Sequence, residues 1–225
     1  MRYLLHSTCL LRLNAAFSVV FSLLLMAVAA RANGIDPGLW RERADPVFRH
    51  VSVPPAMLTT EMVQDDEGYL WLGTQNGLVR WDAYRFLNHT ADSNTPGALP
   101  DSYITALHKD TAGRLWVGTS AGGLAWRDAR RDRFEVLPGG PNGLSHVSVF
   151  AIADDPHGGL WVGTGAGLDH LAADGLTVRH HAQDARLHGL PDGAVQALLV
   201  DRAGGLWVGT RNGLFRRAPG QDRFE

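Results

Sequence analysis

A short tryptophan-centred signature recurs four times along this chain and constrains its fold more than any other feature. The first copy runs from Asp65 to Leu78, and the later copies centre on Trp116, Trp161 and Trp207, so successive tryptophans are 45, 45 and 46 residues apart. A repeat of roughly 40–50 residues that is made of strand and turn residues is typical of one blade of a β-propeller. The sequence therefore predicts an all-β fold of stacked blades.

Aligning the tryptophans also aligns the residues around them. An Asp-x-x-Gly turn precedes each tryptophan, where the aspartate can accept hydrogen bonds from backbone amides and the glycine can take a positive φ. A second glycine follows each tryptophan by two positions, and its missing side chain lets neighbouring sheets approach closely. The predicted structural residues of the four copies are Asp65, Gly68, Trp71 and Gly73; Asp110, Gly113, Trp116 and Gly118; Asp155, Gly158, Trp161 and Gly163; and Asp201, Gly204, Trp207 and Gly209.

Each unit of about 45 residues is predicted to be a four-stranded antiparallel sheet. An apolar inner strand such as residues 149–152 precedes the Asp-x-x-Gly turn, and the tryptophan strand pairs back along it. A tight turn such as Asn76-Gly77 leads to a third strand, since Asn-Gly is a strong hairpin signal. An outer strand such as residues 133–137 completes the unit. The tryptophans are expected to fill the wedge between blades and to have no catalytic role.

The two ends of the repeat region resemble parts of an outer strand. Residues 222–225 repeat the Asp-Arg-Phe-Glu of residues 132–135, so the last unit stops early in its fourth strand. Residues 47–51 have the pattern of an outer strand without its own first three strands. We expect this segment to complete the last blade, because such a latch removes an exposed sheet edge. The interrupted strand favours a truncated or incomplete ring.

The N-terminus has a different character. An apolar stretch from Ala15 to Ala30 follows a short start with Arg2 and Arg12, and small residues of the A-x-A type come next. The stretch is shorter than the roughly 20 residues that span a bilayer, which favours a cleaved secretory signal peptide at residues 1–32 over an anchor helix. The predicted mature chain, residues 33–225, has no cysteine, and this favours export to a bacterial periplasm.

Composition excludes several classes of function. The 21 basic and 23 acidic side chains give a net charge of −2, which argues against nucleic-acid binding. The densest group of metal-ligand residue types is His180, His181, Asp184 and His188. It has no cysteine and no helical histidine pair, so an exposed polar loop is favoured over a metal site. We expect neither a metal nor another cofactor.

A ligand site is expected where the repeats differ from one another. An aspartate that is repeated once per blade cannot supply the facing carboxylate pair of a glycosidase, and no nucleophile motif is present, so no catalytic residue is predicted. The connections that precede the inner strands do vary between blades. Tyr103, His146 and Asp192 lie in these connections and are the predicted ligand contacts.

The repeat closely resembles the two-component regulator propeller repeat. The resemblance is carried by residues 155–164 with Gly167 and Leu168, by residues 201–214, and by the Leu-Pro-Asp runs at 99–101 and 190–192. It implies a seven-bladed ring that forms the periplasmic input domain of a membrane-anchored, dimeric receptor. The effector in such receptors is a histidine kinase or a diguanylate cyclase, and the ligands include glycan fragments. The chain has no effector motif, so we expect a non-catalytic sensing propeller whose parent protein signals.

Two other functions fit the same sequence. One is a freestanding secreted propeller enzyme, either a lyase or a glycan hydrolase. The other is a scaffold that binds a protein partner. Neither the repeats nor the composition identifies the ligand.

Overall fold

The computed structural model describes residues 58–140, 143–181, 190, 193–221 and 223–225, and the regular elements in these ranges are all β-strands. The first sheet contains β1 (Thr59–Gln64), β2 (Leu70–Thr74), β3 (Gly77–Trp81) and β4 (Phe86–His89), and the second contains β5 (Ile104–Lys109), β6 (Leu115–Thr119), β7 (Leu124–Asp128) and β8 (Arg133–Leu137). The third contains β9 (Val149–Asp154), β10 (Leu160–Thr164), β11 (Gly167–Leu171) and β12 (Val178–His181), and the fourth contains β13 (Val195–Val200), β14 (Leu206–Thr210) and β15 (Gly213–Arg217).

The strands of each sheet pair antiparallel in chain order, as expected for propeller blades. The first strands of successive sheets lie side by side, with β1 beside β5, β5 beside β9, and β9 beside β13. We call these four the inner strands. The predicted fold class, an all-β protein built from four-stranded blades, is confirmed for the described residues, while a ring of seven blades stays a prediction.

In the fourth sheet, the last residues of the sequence start to pair with β15 in the place of an outer strand. Phe224 forms a bridge to Arg217, and the backbones of Arg216 and Glu225 exchange hydrogen bonds of 2.8 and 2.9 Å. The predicted latch at residues 47–51 and the predicted signal peptide at residues 1–32 lie outside the described residues. Within the described ranges, no helix is long and apolar enough to span a membrane.

Each sheet has two faces with different residues. We call the face toward the next sheet along the chain the forward face and the opposite one the backward face. Trp71 and Leu78, on the forward face of the first sheet, share a core with Ile104, Leu115 and Val117 of the second. The same pattern joins the second sheet to the third (Trp116 and Leu124 with Val149, Leu160 and Val162) and the third to the fourth (Trp161 and Leu168 with Val195, Leu206 and Val208). One type of interface is therefore used three times.

In the first three sheets, the glycine two positions after the tryptophan lies against the next sheet. A Cβ placed on Gly118 would be 2.7 Å from Cγ1 of Val149 in the next sheet, and one on Gly163 would be 2.7 Å from Cγ1 of Val195. Gly73 has the same relation to Ile104, at 2.8 Å. Real Cβ atoms do not tolerate such distances, so the sheets reach this spacing only because these positions lack a side chain.

The aspartate of the signature holds the turn and the tryptophan together. In the second sheet, Asp110 accepts hydrogen bonds from the backbone amides of Ala112 and Arg114 and, through Oδ2, from Nε1 of Trp116 at 2.8 Å. Gly113 has a φ of +80°, which closes the turn. Burial opposes ionisation of Asp110, but the hydrogen bonds from Trp116 and Arg114 outweigh it and lower the pKa of the carboxyl. The charged form is therefore the one built into the turn.

A half-buried histidine lies between the first and second sheets. The ring of His89 stacks on Trp71 with centroids 5.6 Å apart and contacts the edge of Phe134 at the same distance. Burial lowers the pKa of His89 from its ordinary value of 6.5; Asp132 opposes this shift, while Arg127 and Arg80 add to it. In the second sheet, the equivalent strand position is Leu137, since His89 pairs with Leu78 as Leu137 pairs with Leu124.

Replacing His89 with leucine is therefore expected to flatten the pH dependence of stability. A histidine whose folded-state pKa is depressed stabilises the fold above its unfolded pKa, and this stability is lost as the pH falls through about 6.5 toward the folded value. The measurement is the urea midpoint of wild type and His89→Leu at pH 7.5 and pH 5. If wild type and His89→Leu lose the same amount of stability between pH 7.5 and pH 5, His89 is not the source of the pH dependence.

Candidate functional site

Two of the three predicted ligand contacts, Tyr103 and His146, lie before the starting ends of the inner strands β5 and β9. Tyr103, directly before β5, is 40% exposed, and its hydroxyl accepts a hydrogen bond of 3.3 Å from Nε2 of Gln75 in the first sheet. The Nδ1 atom of His146 accepts from the backbone amide of Ser148 at 3.0 Å. Because a Cβ on Gly165 would be 2.5 Å from that same Nδ1, the ring of His146 lies directly over Gly165.

A chain of hydrogen bonds links these two residues across neighbouring sheets. The amide of Ser120 donates to the carbonyl of Tyr103 at 2.9 Å, and the hydroxyl of Ser148 donates to the carbonyl of Ser120 at 2.6 Å. The amide of Gly165 then donates to the carbonyl of Ser148 at 2.9 Å. Tyr103 and His146 therefore lie along one rim of the described sheets. The third predicted contact, Asp192, lies outside the described residues.

The histidine group is placed differently from the sequence prediction. His180 and His181 lie in β12, the outermost strand of the third sheet, and not in a loop. The Nδ1 of His180 is 2.8 Å from Oδ1 of the buried Asp169, and the ring of His181 packs on Trp161 with centroids 5.1 Å apart. Asp184 and His188 lie outside the described residues. Among those described, no group of three or more histidine, cysteine, aspartate or glutamate side chains could hold a metal ion.

A cavity of about 530 Å³ lies at the opposite ends of the inner strands. It is bordered by three consecutive inner strands, through His108 of β5, residues 152–154 of β9 and residues 198–200 of β13. Its volume is within the range of small-molecule sites, roughly 300–1,000 Å³. Most of the lining is apolar, and the polar exceptions include His108, Asp154 and Thr111. Such a mixture suits a ligand with a polar group on a largely apolar body or ring.

His108 and Asp154 give this cavity its polar character. The Nε2 atom of His108 is 3.2 Å from Oδ2 of Asp154, but the angle is not that of a hydrogen bond. Nε2 is buried and has no hydrogen-bond partner among the described residues. The 3.2 Å separation leaves no room for a ligand atom between the two, so a ligand would contact the pair through the parts of both side chains that remain exposed, 23% of His108 and 32% of Asp154. These parts form a polar point in a mostly apolar lining.

The repeat alignment could have found His108, although the loop-based prediction missed both residues. The strand position of His108 is occupied by Val63, Ala153 and Leu199 in the other sheets, so His108 is the one polar residue in an apolar column. The strand position of Asp154 is occupied by Gln64, Lys109 and Val200, and this mostly polar column gives no such signal. Neither residue lies in a connecting loop, which is where variable positions were sought.

The polar group around Asp169 has a structural explanation. Asp169 is fully buried and accepts hydrogen bonds from the amide and the hydroxyl of Ser145, at 2.8 and 2.9 Å, besides its contact with His180. Ser145 stands where the second repeat has Pro100, and proline has no amide hydrogen to donate. The third repeat therefore has serine in place of proline where it also has the buried carboxylate of Asp169. Since Ser145 and His180 supply the hydrogen-bond partners of this carboxylate, it needs no ligand.

A comparison with protein families supports the repeat assignment. The family described as two component regulator propeller matches residues 98–121, 143–166 and 189–212, which are the stretches that end in the tight turns of the second, third and fourth sheets. No protein in the set of curated proteins matches the chain.

Solved structures show the same fold. The extracellular domain of a putative hybrid two component system from B. thetaiotaomicron is 20% identical with a TM-score of 0.67, and the match covers 74% of this chain and 24% of that one. A catalytically inactive virginiamycin B lyase from Staphylococcus aureus, solved with quinupristin, is 13% identical with a TM-score of 0.54, covering 75% of this chain and 55% of that one. A Bacteroides caccae protein of unknown function is 10% identical with a TM-score of 0.51, covering 77% and 61%. This chain thus spans only part of each.

Proposed function

We propose that this chain, which carries two component regulator propeller repeats, is a ligand-sensing propeller of a bacterial two-component-type receptor that works outside the cytoplasm. The observation that carries the proposal is the match of three repeats to that family. Two further points support the location: the predicted signal peptide, and the fold likeness to a protein described as an extracellular domain of a hybrid two component system. The chain itself is proposed to be non-catalytic, with the effector step performed by a kinase or cyclase domain.

The ligand is proposed to bind in the cavity at His108 and Asp154. This cavity is bordered by the inner strands of the second, third and fourth sheets, so one bound molecule contacts three sheets. Binding there would favour one relative arrangement of these sheets over others, by as much as the ligand's affinity differs between the arrangements. That difference is the free energy available to a receptor for signalling. Glycan fragments fit the site, because their hydroxyls both donate and accept hydrogen bonds and their rings have apolar faces.

The proposal is tested by binding of a panel of neutral and acidic oligosaccharides, followed by thermal shift and titration calorimetry. His108→Val and Asp154→Gln introduce the residues that the first sheet has at these positions, Val63 and Gln64. Each is expected to weaken binding by about tenfold or more without lowering the melting temperature of the free protein. Tyr103→Phe, at the opposite rim, is the control and should leave the affinity unchanged.

One result would contradict the proposed binding site, and two would contradict the proposed function. If Tyr103→Phe weakens binding and the two cavity variants do not, the ligand occupies the rim and the cavity assignment is wrong. Turnover of an oligosaccharide that is lost in His108→Val would favour the freestanding enzyme. A stable protein partner together with no response to any probe would favour the scaffold.

A further inference from the structure

The interfaces between neighbouring sheets differ at one point beside the Asp-x-x-Gly turns. There, the residue after the signature aspartate of one sheet faces the turn glycine and the last inner-strand residue of the next sheet. At the first interface these residues are Asp66, Gly113 and Lys109. A Cβ placed on Gly113 would be 2.5 Å from Oδ2 of Asp66, and Nζ of Lys109 donates a hydrogen bond to Oδ1 of the same carboxylate. An ion pair within the chain therefore fills this point.

The third interface fills the same point with apolar groups. Pro156 occupies the repeat position of Asp66, and its Cγ would be 3.9 Å from a Cβ placed on Gly204. Val200, at the repeat position of Lys109, packs against the core between the third and fourth sheets. Neither of these two positions carries a charge, so neither requires a counter-ion.

The second interface is open at this point. Thr111 and Asp154 occupy the two positions. Among the described residues, a Cβ placed on Gly158 would meet within 4 Å only the Cβ of Ala173, which lies 3.7 Å away in the same sheet. Thr111, Asp154 and Gly158 border both the cavity of about 530 Å³ and a second cavity of about 180 Å³. The two cavities therefore adjoin here, where a carboxylate stands in place of the lysine ammonium.

The carboxylate of Asp154 accepts no hydrogen bond from any of the described residues, since Nε2 of His108, at 3.2 Å, does not have the angle of one. Arg114 borders the smaller cavity, but its Nε already donates to Oδ2 of Asp110 at 3.0 Å. A further carboxylate, that of Asp155, borders the larger cavity. A ligand in these cavities therefore meets more negative than positive charge, and Asp154 is available to accept a hydrogen bond from it.

We propose that the ligand of this cavity carries a protonated amine, which donates a charge-assisted hydrogen bond to Asp154. This inference rests on the proposed function and narrows its glycan fragments to those with a free amino group. The pairing of Lys109 with Asp66 shows that this point of an interface accommodates an ammonium beside a carboxylate. Hydrogen bonds between charged groups are stronger than those between neutral groups, and the mostly apolar lining strengthens the attraction further.

The test is titration calorimetry with three β-1,4-linked disaccharides, of glucosamine, of N-acetylglucosamine and of glucose, at about pH 6, where the free amines are protonated. Wild type is expected to bind the glucosamine disaccharide about tenfold more tightly than the other two. Asp154→Asn keeps the shape of the side chain without its charge and is expected to remove this preference. Asp132→Asn is the matched control, because it removes the charge of a side chain that is 62% exposed and borders neither cavity.

A double variant transfers the ion pair of the first interface into the second. Thr111→Asp together with Asp154→Lys recreates the arrangement of Asp66 and Lys109. The lysine ammonium would then occupy the place of the ligand amine, so this variant is expected to fold and to lose binding of the glucosamine disaccharide. Its melting temperature is expected to be no lower than that of wild type.

The outcomes separate this inference from the proposed function. Equal affinity of wild type for the three disaccharides, with losses in His108→Val, overturns the amine and leaves the proposed binding site intact. A preference for the glucosamine disaccharide that persists in Asp154→Asn overturns the role of Asp154. Binding of none of the three overturns both proposals. Turnover of the glucosamine disaccharide, with its preference lost in Asp154→Asn, supports the amine and contradicts the sensing function.

Discussion

Trp116→Ala is expected to destabilise the protein by about 3–5 kcal/mol, the usual cost of removing a fully buried tryptophan. Trp116 is 0% exposed, and its ring belongs to the core between the second and third sheets together with Leu144 and Val149. The substitution leaves a cavity in that core. It also removes the indole donor from Asp110, whose carboxylate is buried and charged. The loss therefore combines a packing term with the loss of one hydrogen bond at Oδ2, which keeps its hydrogen bond from Nε of Arg114 at 3.0 Å.

Trp207→Ala is the matched control for this substitution. Trp207 makes the same hydrogen bond, with Nε1 donating to Oδ2 of Asp201 at 3.0 Å, but it is half-buried, because no sheet among the described residues covers its face. Its loss is expected to cost about 1–2 kcal/mol. The measurement is urea unfolding followed by circular dichroism, at the same protein concentration for both variants. Equal losses in the two variants would show that the hydrogen bond dominates and that the tryptophan is not mainly a packing element.

The repeat made most of the fold predictable from sequence. Because the same residues return at the same spacing, weak local signals such as an Asp-x-x-Gly turn or an Asn-Gly pair are read several times over. The predicted outer strand at residues 133–137 coincides with β8, and the predicted inner strand at residues 149–152 forms most of β9. Segments without repeat support, such as residues 47–51, stay predictions.

The candidate site was less predictable, for a physical reason. Sequence reasoning sought the ligand in variable connections, which is where binding residues are most often found. His108 and Asp154 instead lie on strands, and they meet only because neighbouring inner strands place consecutive repeat positions side by side. Each deviation taken alone is an ordinary polar residue in a half-buried strand. Their juxtaposition is a tertiary property, which the spacing along one strand does not encode.

Ser145 illustrates the opposite case. In the repeat alignment, Ser145 stands where the second repeat has Pro100, but the alignment alone does not explain the change. The structure supplies the reason, since the amide and hydroxyl of Ser145 both donate to the buried Asp169. A deviation from the repeat can therefore be compensated locally, as here, or left open at a cavity, as at His108. Only the open type is a candidate for ligand recognition.

Gly163→Val is expected to cost about 2–3 kcal/mol, with the loss caused by steric overlap between sheets. A Cβ at this position would be 2.7 Å from Cγ1 of Val195 and 2.9 Å from its carbonyl oxygen. The side chain of Val195 could rotate, but its backbone is fixed by pairing with Thr210, so the third and fourth sheets must separate. Gly163 does not have a positive φ, so its backbone conformation accepts an L-residue without strain. The loss of unfolding free energy in Gly163→Val therefore reports steric overlap alone.

Gly209→Val is the control, since Gly209 occupies the same repeat position and also lacks a positive φ. With only Ala197 of its own sheet nearby, the variant is expected to change the unfolding free energy by less than about 0.5 kcal/mol. The measurement is the urea midpoint of both variants. A loss at Gly209 as large as that at Gly163 would mean that another part of the chain covers this face.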